Sequence, residues 1–140
     1  MTSSFKTTRR VEFRDTDAAG IMHFSVFFTA MESAETEFLR CRGLTVMLRD
    51  PAGDLGWPRV AASCDYKSPL RFEDEYQIEV RVGRIGARSV TYEFIFTHGD
   101  RAVAVGKMTS VCCSIAPDGT PSSVPIPEWI LQKLRGESDK

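Results

Sequence analysis

The stretch Asp15-Thr16-Asp17-Ala18-Ala19-Gly20-Ile21-Met22-His23-Phe24 gathers the side chains of this chain best suited to chemistry. Two carboxylates and a histidine fall within nine residues, interrupted by a glycine. A carboxylate can attack a carbonyl carbon or activate a water, and a histidine can move a proton near neutral pH. The stretch lies where a strand-like segment gives way to a helical one. The first N–H groups of a helix lack intrahelical partners and carry partial positive charge, so they can hold an oxyanion as it develops. On the residues alone, the commoner role of a carboxylate such as Asp17 is to cap a turn. Asp15, two residues earlier, reads as a structural group that hydrogen-bonds the turn.

Two elements must position this stretch. Upstream, Thr7 to Arg14 reads as a strand with Val11 and Phe13 on one face. Downstream, Phe24, Phe27, Phe28, Met31, Ala34 and Phe38 recur at spacings of three and four, which predicts a helix from about Ser25 to Arg42. Gly43 is placed to stop it. Thr29, Glu32, Ser33, Thr36, Glu37 and Arg40 supply its polar side, and Glu35 reads with Glu32 as part of a solvated face. The apolar stripe is wide enough to predict that a sheet covers most of the helix.

Beyond the helix, Thr45 to Arg49 reads as a short helical turn, and Pro51 to Pro58 as a loop. Four strand-like runs follow. Val60, Ala62, Cys64 and Tyr66 share a face of the first. Tyr76, Ile78, Val80 and Val82 alternate with polar residues in the second, and Val90, Tyr92, Phe94 and Phe96 do so in the third. Val103 to Ile115 forms a long fourth run. Gly86 and Gly99-Asp100 mark hairpin turns, and Pro127 opens a short helix with Trp129, Ile130 and Leu134. One strand, a long helix and four successive strands predict an α+β chain: an antiparallel sheet of about five strands wrapped around one long central helix.

The 140 residues fit a single domain, 1–140, with its core at about 7–130 and a flexible tail at 136–140. A hydrophobic content of 42% supports a packed core, and a net charge of −1 gives no sign of nucleic-acid binding. No apolar run is long enough to cross a bilayer, and the first ten residues carry no apolar secretory core, so a cytoplasmic protein is expected. Cys41, Cys64, Cys112 and Cys113 form no metal or redox spacing and read as buried free thiols. With His23 and His98 as its two histidines, the chain offers no multi-histidine metal site, and no metal or cofactor is expected.

The pattern resembles the hotdog-fold thioesterases of the 4-hydroxybenzoyl-CoA thioesterase-like family. The resemblance is carried by Asp15-x-Asp17-x-x-Gly20-Ile21-x-x-Phe24, then Phe27 or Phe28, then Met31-Glu32-x-Ala34-Glu35. Tyr66-x-x-Pro69-Leu70 with Phe72-Glu73-Asp74 adds to it, and the match runs from about Arg9 to Glu128. It implies hydrolysis of an acyl- or aryl-CoA thioester, the substrate being the sole small-molecule partner. It also implies a homodimer joined edge to edge, paired again into a homotetramer, with active sites at the dimer interface. The reacting carboxylate falls on Asp17, as nucleophile or general base, and the oxyanion donor on the Phe24 backbone N–H. His23 falls beside them, as a proton donor or a pocket wall. Substrate binding falls on Gly20, Phe27, Phe28, Val60, Ala61, Arg88 and Ser89, Arg88 suiting a phosphate of the coenzyme. Two alternatives stand beside hydrolysis: a hotdog protein that binds acyl-CoA without cleaving it, and a hotdog hydratase or dehydratase.

Overall fold

A computed structural model of the chain describes residues 4–49, 51 and 53–136. The tail expected to be flexible thus lies outside the described residues from 137 onward. The main sheet follows from strict alternation, because successive strand side chains point to opposite faces. Strand β5 (Glu75–Ile85) buries Tyr76, Ile78 and Val80, and β6 (Ser89–His98) buries Val90, Tyr92, Phe94 and Phe96. With β1 (Ser4–Arg10), β4 (Arg59–Tyr66) and β7 (Arg101–Val111) they form a five-stranded antiparallel sheet in the order β1-β5-β6-β7-β4.

Helix α1 (Val26–Cys41) buries Phe27, Ala30, Met31, Ala34, Phe38 and Leu39. It crosses β7 at Gly106, where an added Cβ would come within 2.2 Å of Met31 Sδ. The helix stops as its glycine predicted. Gly43 takes φ of +75°, its N–H reaches the Arg40 carbonyl at 3.0 Å, and the Leu44 N–H reaches the Leu39 carbonyl at 2.7 Å. The chain is therefore α+β, a five-stranded antiparallel sheet carrying one 16-residue helix. Helix α2 (Glu128–Leu134) closes it, burying Ile130 and Leu134.

The structure departs from the sequence reading at several points. The first strand ends at Arg10, not Arg14. Glu12 and Asp15 cap each other across a single turn of 3₁₀ helix, Phe13–Asp15. That turn swings Phe13 into solvent, edge-on against exposed Phe72. The expected helical turn at 45–49 and the loop at 51–58 instead hold short strands, β2 (Met47–Leu48) and β3 (Asp54–Gly56). The long run from Val103 breaks at Cys112, whose N–H turns to the Arg88 carbonyl at 2.7 Å. Its continuation, β8 (Cys113–Ile115), joins a second sheet with β9 (Pro121–Ser123), in the order β2-β3-β8-β9. Cys41 is exposed and Cys64 half-buried, whereas Cys112 and Cys113 are buried as expected. Among the described residues no helix is long and apolar enough to cross a membrane.

Candidate active site

Between the 3₁₀ turn and α1 the chain makes a tight loop that fixes Asp17. The Asp17 N–H donates to the Ile21 carbonyl at 2.9 Å, and the Gly20 N–H donates to the Asp17 carbonyl at 2.9 Å. Gly20 takes φ of +80°, which a glycine adopts without cost. The same loop folds back on the side chain: Asp17 Oδ1 accepts the N–H of Ala19 at 2.9 Å and of Ile21 at 3.3 Å. One carboxylate oxygen is thus pinned, while Oδ2 has no hydrogen-bond partner among the described residues. The loop is in turn tied to the chain beyond β4, since the Met22 N–H reaches the Leu70 carbonyl at 2.7 Å.

Asp17 lines a cavity of about 360 Å³ together with Phe24, Phe27, Tyr66, Lys67 and Pro69. The walls are mostly apolar. A second hollow of about 470 Å³, lined by Phe13, Arg14, Gly20 and Phe72, opens on the other side of Asp17. At the start of α1, Ser25 takes the cap position but spends its hydroxyl on His23 Nδ1, 2.8 Å away, and caps no backbone group. The Phe24 N–H has no hydrogen-bond partner among the described residues. It is an unpaired donor among the described residues at the N-terminal end of a helix, and Phe24 and Asp17 both line the cavity.

The sequence-derived residues divide into two groups. Asp17, Phe24 and Phe27 meet at the cavity, and Gly20 shapes its loop. Phe24 does so from the surface, 63% exposed rather than within the buried stripe of the helix. His23 lies apart. Its Nδ1 accepts the Ser25 N–H at 3.2 Å, its ring stacks on Phe24 at 4.5 Å, and it is not among the cavity's lining residues. Phe28 is half-buried on the next position of the helix. Val60, Ala61, Arg88 and Ser89 sit at the far end of the sheet. Tyr66 pairs with Ala104 and Arg59 with Ser110, so β4 separates the two ends by about 20 Å at 3.3 Å per residue. Arg88 Nη1 also donates to the Ser123 carbonyl at 2.8 Å, which commits part of its guanidinium to β9.

Asp15 hydrogen-bonds the turn, as its position predicts: Oδ2 accepts the Glu12 N–H at 2.9 Å, and its carbonyl accepts the His23 N–H at 2.8 Å. Glu32 opens onto a separate groove of about 680 Å³ beside Arg9, Arg40 and Arg59. Glu35 reverses its expected place on a solvated face. It is 1% exposed and paired with Arg59 across α1 and β4. Burial pushes its carboxyl pKa up, against the lowering pull of Arg59. Tyr66 and Lys67 were absent from the predicted site, although Tyr66-x-x-Pro69 was the visible signal. No cluster of three or more His, Cys, Asp or Glu suited to a metal exists among the described residues.

A family model described as the thioesterase-like superfamily matches residues 11–134. A 1,4-dihydroxy-2-naphthoyl-CoA hydrolase of Crocosphaera subtropica is 26% identical over 126 residues, 87% of this chain and 92% of that protein. The structure of a gentisyl-coenzyme A thioesterase superposes with a TM-score of 0.78 at 28% identity, covering 93% of this chain and 99% of its own. A 1,4-dihydroxy-2-naphthoyl-CoA thioesterase from Synechocystis shares the fold, with a TM-score of 0.81 at 21% identity over 94% and 95% of the two chains.

Proposed function

The chain belongs to the thioesterase-like superfamily, and on that premise we propose that it hydrolyses a CoA thioester to the free acid and CoA. One observation supports this more than any other. A carboxylate with one oxygen held by two backbone N–H groups stands on an apolar cavity that also receives the N-terminal turn of a helix. The thioester carbonyl would accept the Phe24 N–H, and Asp17 Oδ2 would supply the second half of the chemistry. As nucleophile it adds to the carbonyl carbon and expels the CoA thiolate, leaving an anhydride that water opens. As general base it takes a proton from the attacking water. Both routes end in the same products, and both need the loop geometry described above. His23, turned onto Ser25 and Phe24, is assigned no proton transfer. That placement also disfavours a hydratase, which needs carboxylate and histidine acting on one carbon.

The substrate class we propose is an acyl- or aryl-CoA, and the aromatic thioesters named for two relatives support including the aryl members. We propose further that two copies pair along β4. An antiparallel β4–β4 contact would set the Tyr66 end of one copy beside the Arg59 end of the other. Val60 and Ala61 of the second copy would then reach the Asp17 cavity, which one chain alone does not bring them to. That pairing would bring two of the predicted substrate-binding residues, Val60 and Ala61, to the cavity, and a homotetramer would follow from a further pairing of dimers.

The test is thiol release, followed with a thiol-reactive dye, across aliphatic and aromatic CoA thioesters. Asp17→Asn keeps the oxygen that caps the turn and removes the reactive one. Its turnover should fall by about 10²- to 10⁴-fold with the fold and assembly intact. Wild-type rates in that variant defeat the assignment of Asp17. Saturable CoA-ester binding without thiol release from any member of the panel moves the protein to the non-catalytic binding class.

A further inference from the structure

The Tyr66 hydroxyl donates a hydrogen bond of 2.8 Å to the Phe24 carbonyl, 42 residues earlier in the chain. It is the one hydrogen bond that the backbone of Phe24 makes among the described residues. The Phe24 side chain gives little anchorage of its own, being largely exposed and stacked on His23. The His23 N–H is held by the Asp15 carbonyl, the peptide that carries the Phe24 N–H by the Val26 N–H on its His23 carbonyl, and the next peptide by the Ser25 N–H on His23 Nδ1. Tyr66 adds the hold on the Phe24 carbonyl.

Tyr66 reaches across from a braced platform. Lys67 and Ser68 both direct their N–H groups to the Val103 carbonyl, at 2.8 and 3.2 Å. Arg101 Nη1 donates to Ser68 Oγ and to the Pro69 carbonyl, each at 2.7 Å, and Ser68 Oγ donates to the Ala102 carbonyl at 2.6 Å. The Tyr66 ring also meets Phe27 edge to face at 5.0 Å. Ring and hydroxyl thus grip the first turn of α1 at two points, from the end of an edge strand. Partial burial and the neighbouring Cys64 raise the Tyr66 pKa.

We infer that Tyr66 is a positioning residue: by holding the Phe24 carbonyl it fixes the turn that presents the Phe24 N–H to the cavity. The inference rests on the reading of Phe24 as oxyanion donor. Because Tyr66 ends β4, it also links the geometry of that donor to the strand along which two copies are proposed to join.

Tyr66→Phe removes the hydroxyl and keeps the ring. The expected result is a kcat lowered about three- to tenfold, the value of one neutral hydrogen bond, with KM changed less than twofold. Binding of an S-alkyl-CoA thioether, which has no carbonyl for the N–H to meet, should not change. Tyr66→Leu, which also loses the contact with Phe27, should lower kcat further. A Tyr66→Phe variant with wild-type kcat, beside an inactive Asp17→Asn, overturns the inference and leaves the thioesterase reading standing. Loss of thioether binding in step with kcat also overturns it, since Tyr66 would then shape the whole pocket. Absence of wild-type turnover on every thioester overturns both.

Discussion

At the scale of single residues, two carboxylates in this chain are held in opposite ways. Asp17 has one oxygen fixed by Ala19 and Ile21 and stands at a cavity wall, a placement that leaves the other oxygen without a hydrogen-bond partner among the described residues. Glu35 is buried, with Oε1 on Arg59 and Oε2 without a hydrogen-bond partner among the described residues. Leaving a buried acceptor unpaired is costly, and burial disfavours the ionised form. A raised folded-state pKa means the folded chain holds the Glu35 proton more tightly than the unfolded chain does. The resulting stabilisation is full below the ordinary value of 4.5 and is lost as pH rises through the raised value. Glu35→Gln keeps the volume and cannot titrate. The difference in melting temperature, wild type minus Glu35→Gln, should therefore fall as pH is raised from about 4 to about 8. A difference that stays constant over that range contradicts the assignment. Asp17 was legible in the sequence because a turn carboxylate announces itself through Gly20 and the adjoining helix. Glu35 was not, because its partner Arg59 lies 24 residues away on another element.

At the scale of elements, the helix is placed by its contact with the sheet. Met31 lies over Gly106 with no room for a Cβ, so the height of α1 above β7 depends on that glycine. Gly106→Ala should destabilise the fold by about 1–3 kcal/mol through overpacking. Met31→Ala alone should cost about 2–5 kcal/mol through the cavity it leaves. Since each change makes space for or removes the clash with the other, the double variant should cost less than the sum of the two, measured by chemical denaturation. Strict additivity would mean that the two side chains do not share the space. Periodicity identified α1, β5 and β6 with their buried faces, because each repeats a local pattern over ten or more residues. It failed on β2, β3 and β9, which are two or three residues long and exist through pairing in a second sheet. It failed too at Cys112, where one long strand-like run passes from the first sheet to the second and the Arg88 carbonyl accepts the Cys112 N–H.

At the scale of the whole molecule, β4 is an edge whose residues Val60 to Ser63 are exposed, Val60 by 62%. An exposed edge strand with an apolar side chain invites another strand, and a lysine there blocks the approach. Val60→Lys should shift the assembly toward the monomer in light scattering and remove most thiol release, with the circular dichroism of the chain unchanged. A variant of wild-type mass places the interface elsewhere. The sequence by itself determined what local rules govern: the α+β pattern, the glycine stop of α1, and a carboxylate held at a turn before a helix. These depend on periods of two and 3.6 and on turn chemistry, all expressed within a few residues. Only the tertiary structure decided that Tyr66 holds Phe24, that Arg59 meets Glu35, and that Val60 and Arg88 lie at the far end of the sheet from Asp17. Those relations follow from the strand order β1-β5-β6-β7-β4, which brings distant segments side by side and which no local pattern encodes.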